Sequence, residues 1–263
     1  MVKGNHLDGE VAVLDERDVV ILGKEVYALP RPKWEVKKNT GLPPAEKGKV
    51  VMLSWPKYPQ VHVSHTQMSP WRIRLKKCID VTGALGGLLV SLPLSVVLMS
   101  AIKLSSRGPV FYSHERIGQF GKPFLIYKFR SMYAGAEPNG PQLASENDPR
   151  ITPLGRFMRR FKLDEIPNLY NVLRGDMSLV GPRPERKFYI DLIIERSPEY
   201  LRLLNVKPGV TSWGQVKYGY AKDVEEMLHR MNFDLLYIKD MSLFVDFKIL
   251  TRTLFTVVRG NRK

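Results

Sequence analysis

Two adjacent carboxylates, Asp164 and Glu165, follow a stretch from Arg156 to Lys162 that carries four cations. A carboxylate can attack phosphorus and form an acyl phosphate, and a carboxylate beside substrate phosphates can ligate Mg²⁺. The sequence therefore predicts Asp164 as a nucleophile and Glu165 as a metal ligand. The surrounding cations predict that both carboxylates stay ionised. Together these residues favour phosphate chemistry with Mg²⁺ as the cofactor.

Arginines near this pair would neutralise charge on a phosphoryl group during its transfer. Arg183 lies between two prolines, so its backbone is pre-organised. Arg156 and Arg159 lie off the apolar face of the helix that the sequence predicts just before the pair. An ordinary solvated surface is the alternative for that helix. We predict that all three arginines bind phosphate.

A purely structural role for the pair stays open on these residues alone. Asp is a preferred N-cap, and Glu165 would then be a first-turn acid favoured by the helix dipole. That helix would begin at Asp164 and end before Gly175. The sequence contains no Walker loop, which would indicate ATP, and no evident Ser-His-Asp set.

The charge balance is basic, since 41 Lys and Arg against 26 Asp and Glu give a formal net charge of +15. Such a surplus suits nucleic acid, anionic lipid or phosphorylated substrates, and charge alone does not choose among them. Cys78 is the single cysteine, so no intramolecular disulfide and no cysteine-based zinc cluster can form. The first residues have no apolar core and predict no secretory signal.

The segment from Val81 to Ile102 carries no charged residue and is long enough to cross a membrane as a straight helix. Pro93 falls in its middle and predicts a break. Cations flank the segment on both sides and favour keeping both of its ends cytoplasmic. We therefore predict a re-entrant membrane helix at about 79–104, with a kinked single crossing as the alternative.

Residues 1–70 are predicted to form an N-terminal appendage of unknown role. Short strands are predicted at Val11–Leu14 and Val19–Leu22, and many prolines follow them. Beyond the apolar segment, extended stretches at Pro109–Ser113 and Phe124–Met132 predict a β-hairpin.

Helices are predicted beyond the hairpin. One begins at Pro153 with Thr152 as its N-cap and another begins at Asp164. The remaining three are predicted at Pro184–Leu204, Val224–Lys239 and Leu243–Arg259. The last is basic and amphipathic, so it would suit a bilayer interface. Packing on the domain core is the alternative for this helix.

Five motifs occur in order along the chain: Tyr127–Met132, Asp148–Arg156, Leu163–Pro167, Asn171–Pro184 and Lys207–Thr211. On these motifs the chain resembles the bacterial sugar transferases, which are monotopic phosphoglycosyl transferases. The resemblance runs from about Trp71 to the C-terminus and defines a predicted transferase domain at 71–263. The appendage is outside it.

The resemblance implies an activity. Members transfer a sugar-1-phosphate from a nucleoside diphosphate sugar to a polyprenyl phosphate, need Mg²⁺ and have a re-entrant helix. Their catalytic Asp-Glu dyad maps onto Asp164 as nucleophile and Glu165 as metal ligand. The motif cations Lys128, Arg130 and Lys207 join the predicted phosphate-binding residues.

The chain departs from the family pattern near these motifs. Members often carry Gln where His114 and Asn168 stand, and Ser where Lys162 stands. These differences leave the dyad intact and concern the contacts to nucleotide and sugar.

The expected fold is a helix-rich α/β monotopic membrane protein with a re-entrant Pro-broken helix, a short β-hairpin and amphipathic interfacial helices. The expected partners are a nucleoside diphosphate sugar (a UDP-sugar), undecaprenyl phosphate and the lipid bilayer, with no nucleic acid and with a homodimer possible. The expected location is the cytoplasmic face of the bacterial inner membrane. A basic nucleic-acid-binding module and a non-catalytic membrane scaffold are the alternatives.

Overall fold

The computed structural model describes residues 19–22, 25–28, 68–137, 140, 142–144, 148–219 and 221–260. The chain divides into two compact units, Met1–Trp55 and Pro56–Lys263. In the first unit, strands β1 (Val19–Leu22) and β2 (Glu25–Ala28) form an antiparallel pair. The strand predicted at Val19–Leu22 is confirmed. The strand predicted at Val11–Leu14 and the prolines that follow lie outside the described residues.

The second unit contains α1 (Pro70–Ser105), a helix of 36 residues. Pro70 occupies its first position, where a missing backbone N–H costs no helical hydrogen bond. The helix continues through Pro93, so the predicted break does not divide it into two helices. Proline removes one donor from the ladder, and the turns on either side keep their helical geometry. Among the described residues, α1 is the one helix long and apolar enough to cross a membrane, and 11% of its apolar window is buried.

The predicted hairpin is confirmed with different bounds. Strands β3 (Phe111–Ile117) and β4 (Pro123–Phe129) pair in antiparallel register, with Tyr112 opposite Lys128. A short 3₁₀ turn joins them, and Gly121 supplies a positive φ of 70° there. This hairpin brings Lys128 into the interior of the unit.

Six further helices and one short parallel strand pair complete the described part of this unit. The helices are α2 (Pro153–Arg160), α3 (Asn168–Arg174), α4 (Lys187–Arg196), α5 (Trp213–Lys217), α6 (Val224–Lys239) and α7 (Leu243–Arg259). The strands are β5 (Ser178–Val180) and β6 (Gly209–Thr211). The bounds predicted for α6 and α7 are confirmed, as is Thr152, whose hydroxyl accepts from Gly155 N at the start of α2.

Prolines account for two differences from the predicted helices. Pro167 cannot donate to the carbonyl of Leu163, so Ile166 donates to it instead at 3.3 Å and closes a 3₁₀ turn before α3 begins. Pro198 disfavours a helical conformation at the residue before it. The helix predicted at Pro184–Leu204 is therefore α4 followed by a 3₁₀ segment, Pro198–Asn205.

Two apolar clusters attach α1 to the second unit. Ala84 packs with Ile126 and Val172 near the start of the apolar stretch. Leu98 and Ile102 pack with Phe129 and Met158 towards its end. The same domain therefore contacts α1 on both sides of Pro93.

The apolar face predicted for α7 is largely exposed in the described structure. Phe247, Leu254 and Val258 are 65%, 64% and 71% exposed. The side that packs inward carries Asp246 and Ile249 instead. The predicted apolar face is thus not the face that packs on the domain core.

Candidate active site

The carboxylate pair lies on a tight connection between α2 and α3. Lys162 adopts a left-handed conformation (φ 52°), and Leu163–Glu165 then forms one 3₁₀ turn. Asp164 and Glu165 lie inside, each 6% exposed. The residue that precedes α3 is Pro167, so Asp164 is not the N-cap of that helix. The capping role left open by the sequence is therefore not found.

Two cations from different elements contact Glu165. Lys128 of β4 donates from Nζ to Glu165 Oε1 at 2.6 Å, and Arg183 Nη1 lies 3.7 Å from the same oxygen. Burial favours a raised pKa, but the charges of Lys128 and Arg183 outweigh it and hold the pKa of Glu165 well below its usual range. Glu165 is therefore ionised at neutral pH.

Asp164 behaves differently. Burial raises the pKa of Asp164; the charge of Lys128 opposes this effect and that of Glu165 adds to it. The expectation that the cations favour ionisation is confirmed for Glu165, whereas the pKa of Asp164 moves the other way. Asp164 Oδ1 is buried and has no hydrogen-bond partner among the described residues. One oxygen of the proposed nucleophile is thus left for a ligand.

Arg183 lies between Glu165 and a second buried carboxylate, Glu185. Arg183 Nε is 3.7 Å from Glu185 Oε1. Glu185 also accepts from Arg116 Nη1 at 3.0 Å and from Arg230 Nη2. Burial lowers the pKa of Arg116 to about 10, so this side chain stays cationic at neutral pH. Glu185 is the shared anion of three guanidinium groups.

Asp234 of α6 fixes the backbone beside this cluster. Its carboxylate accepts from the backbone N–H of Gly214 at 2.8 Å and from that of Arg183 at 3.4 Å. Burial raises the pKa of Asp234 to about 6, against the lowering effect of these hydrogen bonds. Asp234 therefore ties the Arg183 segment to the start of α5.

The model of the family described as bacterial sugar transferase matches residues 71–260. The chain belongs to the bacterial sugar transferase family. It is 38% identical over 192 residues to UDP-N-acetylgalactosamine-undecaprenyl-phosphate N-acetylgalactosaminephosphotransferase of Aeromonas hydrophila, covering 73% of this chain and 45% of that relative. It is 39% identical over 199 residues to UDP-glucose:undecaprenyl-phosphate glucose-1-phosphate transferase of Escherichia coli (strain K12), covering 75% and 43%.

The match covers a larger share of a shorter relative. The protein with the same name from Caulobacter vibrioides is 41% identical over 182 residues, which are 68% of this chain and 67% of that relative. The chain spans less than half the length of the Aeromonas and Escherichia relatives. The family match covers α1 to α7 and therefore the whole site described above.

Within this sugar transferase domain, Lys128, Arg183 and Arg159 lie near the pair. Arg159 donates from Nε to Ser131 Oγ at 2.9 Å, and its charge acts to lower the pKa of Asp164. Arg156 is exposed on α2.

Two predicted phosphate-binding cations occupy other places. Arg130 is buried, and its guanidinium donates to the carbonyls of Ile102, Ser106 and Arg107 at the end of α1. The last carbonyls of a helix need such donors, so Arg130 serves the end of α1. Lys207 Nζ lies beside Gly175, where α3 ends.

A small pocket lies beside Glu165 and is lined in part by Glu165, Lys128, Asn168 and Arg183. Asn168 Oδ1 is buried and, within the described residues, has no hydrogen-bond partner. No group of three or more His, Cys, Asp or Glu side chains that could hold a metal is found in the described part of the chain. Mg²⁺ needs one or two carboxylates together with substrate phosphates. Glu165 and the unpartnered oxygens of Asp164 and Asn168 fit that requirement.

Glu185, Arg116, Arg230 and Asp234 were not predicted from the sequence. Arg230 and Asp234 occupy buried positions of α6 alongside Met227. Charged residues at inward positions of an amphipathic helix are the signal that could have revealed them. Glu185 and Arg116 carry no comparable local pattern, because their partners are remote in sequence.

Proposed function

We propose that this protein transfers a sugar-1-phosphate from a UDP-sugar to undecaprenyl phosphate and so initiates synthesis of a lipid-linked glycan. The relatives named above support the substrate classes. The observation that carries the proposal is Asp164 Oδ1. It is buried, has no hydrogen-bond partner in the described part of the chain, and lies next to a carboxylate that Lys128 and Arg183 keep ionised. Such a carboxyl group is available to react and is shielded from water.

The proposed reaction has two displacements. Asp164 attacks the β-phosphorus of the nucleotide sugar, the bridging P–O bond breaks, and UMP leaves with the bonding electrons. An oxygen of the polyprenyl phosphate then attacks the same phosphorus, and the Asp164 carboxylate is released. Arg183 would bind the phosphoryl oxygens, since a guanidinium offers a planar pair of donors.

Mg²⁺ would neutralise charge on the diphosphate when it is bound. Glu165 and Asn168 would hold it, with the diphosphate completing its ligands. Lys128 orients Glu165 through the 2.6 Å contact and thereby limits the directions in which the carboxylate can face.

The proposed place of action is the cytoplasmic face of the bacterial inner membrane. The domain contacts α1 at Ala84 and again at Leu98. One domain thus packs on α1 on both sides of Pro93. This supports a helix whose two ends stay at one leaflet. Both α1 and α7 expose apolar side chains that a bilayer would cover.

Mass spectrometry and product release test the proposal together. The wild-type protein, incubated with UDP-sugars one at a time and no acceptor, should gain a sugar-phosphate adduct on Asp164. Asp164→Asn should form no adduct and release no UMP, because an amide cannot form the acyl phosphate. Asp240→Asn is the matched control, since Asp240 is exposed at the end of α6. An adduct on another residue, or UMP release by Asp164→Asn, would refute the covalent mechanism.

A nucleic-acid-binding function remains the second candidate because of the +15 charge. A salt-sensitive affinity for DNA or RNA without UMP release would favour it. The homodimer stays a prediction, which light scattering of the detergent-solubilised protein would check.

A further inference from the structure

Three cations surround the ring of Trp213 at the start of α5. Arg252 Cζ lies 5.2 Å from the ring centroid, Lys217 Nζ lies 5.3 Å from it and Lys248 Nζ lies 5.9 Å from it. All three distances are within the range of cation–π contacts. Lys217 belongs to α5, whereas Lys248 and Arg252 are one turn apart on α7. We call these four residues the Trp213 cluster.

The Trp213 cluster has an excess of positive charge. Within the described part of the chain, none of its three cations forms an ion pair with a carboxylate. Like charges gathered around one ring repel each other at distances below the Debye length. The ring quadrupole offsets only part of this repulsion. An anion bound among the cations would offset the rest.

The surroundings of the Trp213 cluster indicate which class of anion it would bind. On α7, Lys248 follows the exposed Phe244 by one turn, and Arg252 precedes the exposed Phe255 by one turn. The cations therefore border an apolar face that is open to the surroundings. A soluble anion has no apolar part that could contact this face. A phospholipid presents a phosphate and acyl chains side by side and matches both features.

We propose that the Trp213 cluster binds the headgroup phosphate of an acidic phospholipid while Phe244, Phe247 and Phe255 enter the acyl region. Arg and Lys side chains can extend their charged ends to the headgroup level from such a position. The cluster is distinct from the catalytic pocket, because none of its four residues lines that pocket. Under this proposal, α7 both inserts apolar side chains into the bilayer and selects acidic phospholipids.

Native mass spectrometry of the full chain tests this proposal. The protein is placed in nanodiscs of phosphatidylcholine with a minor fraction of phosphatidylglycerol, and the lipids retained after release are counted. The wild type should retain phosphatidylglycerol preferentially. The variant Lys217→Gln/Lys248→Gln/Arg252→Gln should lose this preference. Each cation at an acidic surface contributes roughly fivefold in affinity, so the three together should weaken phosphatidylglycerol binding on the order of 100-fold.

The matched control is Lys122→Gln/Lys222→Gln/Lys239→Gln, which removes three exposed cations outside the cluster. It should retain the wild-type preference, and both variants should release UMP at the wild-type rate in discs of phosphatidylcholine with added acceptor. A cluster variant that still prefers phosphatidylglycerol, or a control variant that loses the preference equally, overturns the proposal.

Competition identifies the source of the phosphate. Soluble glycerol phosphate should not displace phosphatidylglycerol from the wild type, since it has no acyl chains. Displacement by glycerol phosphate would show a site for a soluble anion and would overturn the proposal. Displacement by undecaprenyl phosphate at much lower concentration than by added phosphatidylglycerol would assign the cluster to the acceptor lipid and would overturn it as well.

Discussion

Glu185→Gln should strongly destabilise the fold, although the side chain lies outside the sequence-predicted site. Glu185 accepts from Arg116 and Arg230 and lies 3.7 Å from Arg183, and its side chain is 6% exposed. Glutamine keeps the volume but removes the charge and turns an amide donor towards guanidinium donors. Removing one partner of a buried ion pair costs about 3–5 kcal/mol, because the remaining charge is left uncompensated.

The size of the expected shift follows from the chain length. In domains of about 150–250 residues, 1 kcal/mol moves Tm by roughly 2–4 °C. The Glu185→Gln variant should therefore unfold on the order of 10 °C below the wild type in the same detergent. Differential scanning fluorimetry measures this shift. The matched control is Glu199→Gln, an exposed glutamate whose loss should change stability by no more than about 0.5 kcal/mol.

Catalysis provides a second measurement. At a temperature where the variant is still folded, kcat for UMP release should fall because Arg183 loses one of the two carboxylates beside it. Arg116→Met combined with Glu185→Gln should cost less than the sum of the single changes, since both remove the same pair. A Glu185→Gln protein with wild-type Tm would show that Glu185 does not compensate these cations, and the reasoning would fail.

Three further outcomes are expected. Lys128→Met should lower kcat/KM steeply while Lys128→Arg recovers part of it, because Glu165 loses the contact at 2.6 Å; equal activity of Lys128→Met and the wild type would contradict this role. Arg183→Lys should recover only part of the kcat/KM lost in Arg183→Ala, since an ammonium lacks the planar fork; full recovery would mean that only charge is needed. Asp234 has a folded-state pKa of about 6 against an ordinary value of 3.8. Its protonated form is therefore favoured by the fold. Its contribution to stability is fully present below the ordinary pKa of 3.8 and is lost as pH rises through 6, by up to about 3 kcal/mol. Asp234→Asn should lose this part of the pH dependence of chemical unfolding, and an unchanged dependence would exclude Asp234 as its source.

Local patterns in the sequence were sufficient to predict much of the fold. The hairpin, α6 and α7 follow from periodicity and turn residues, and Thr152 with Pro153 marks the start of α2. The parallel pair β5–β6 could not be predicted, because each strand has three residues and its pairing depends on contacts remote in sequence. The 3₁₀ turn at Leu163–Glu165, which follows the left-handed Lys162, was not predicted.

In the candidate site too, residues in contiguous motifs could be predicted, whereas residues held by remote contacts could not. The dyad and Arg183 stand in contiguous motifs, so they could be predicted before any geometry was known. Glu185 and Asp234 each have partners 20 to 69 residues away. A local pattern can mark Asp234 as an inward charged position of α6, but it cannot identify such remote partners. Arg130 was predicted from its motif as a phosphate-binding residue. Its guanidinium instead meets a helix end that is adjacent only in the folded chain.

The position of Arg130 connects the apolar helix α1 to the Asp164–Glu165 pair through a short stretch of backbone. Lys128 contacts Glu165 and Arg130 contacts the end of α1, and they are two residues apart on the same stretch of chain. A displacement of α1 along its axis would therefore pull on the segment that carries Lys128, the partner of Glu165. We expect the turnover rate to depend on the acyl-chain length of the host lipid, which a series of nanodiscs of graded thickness would measure.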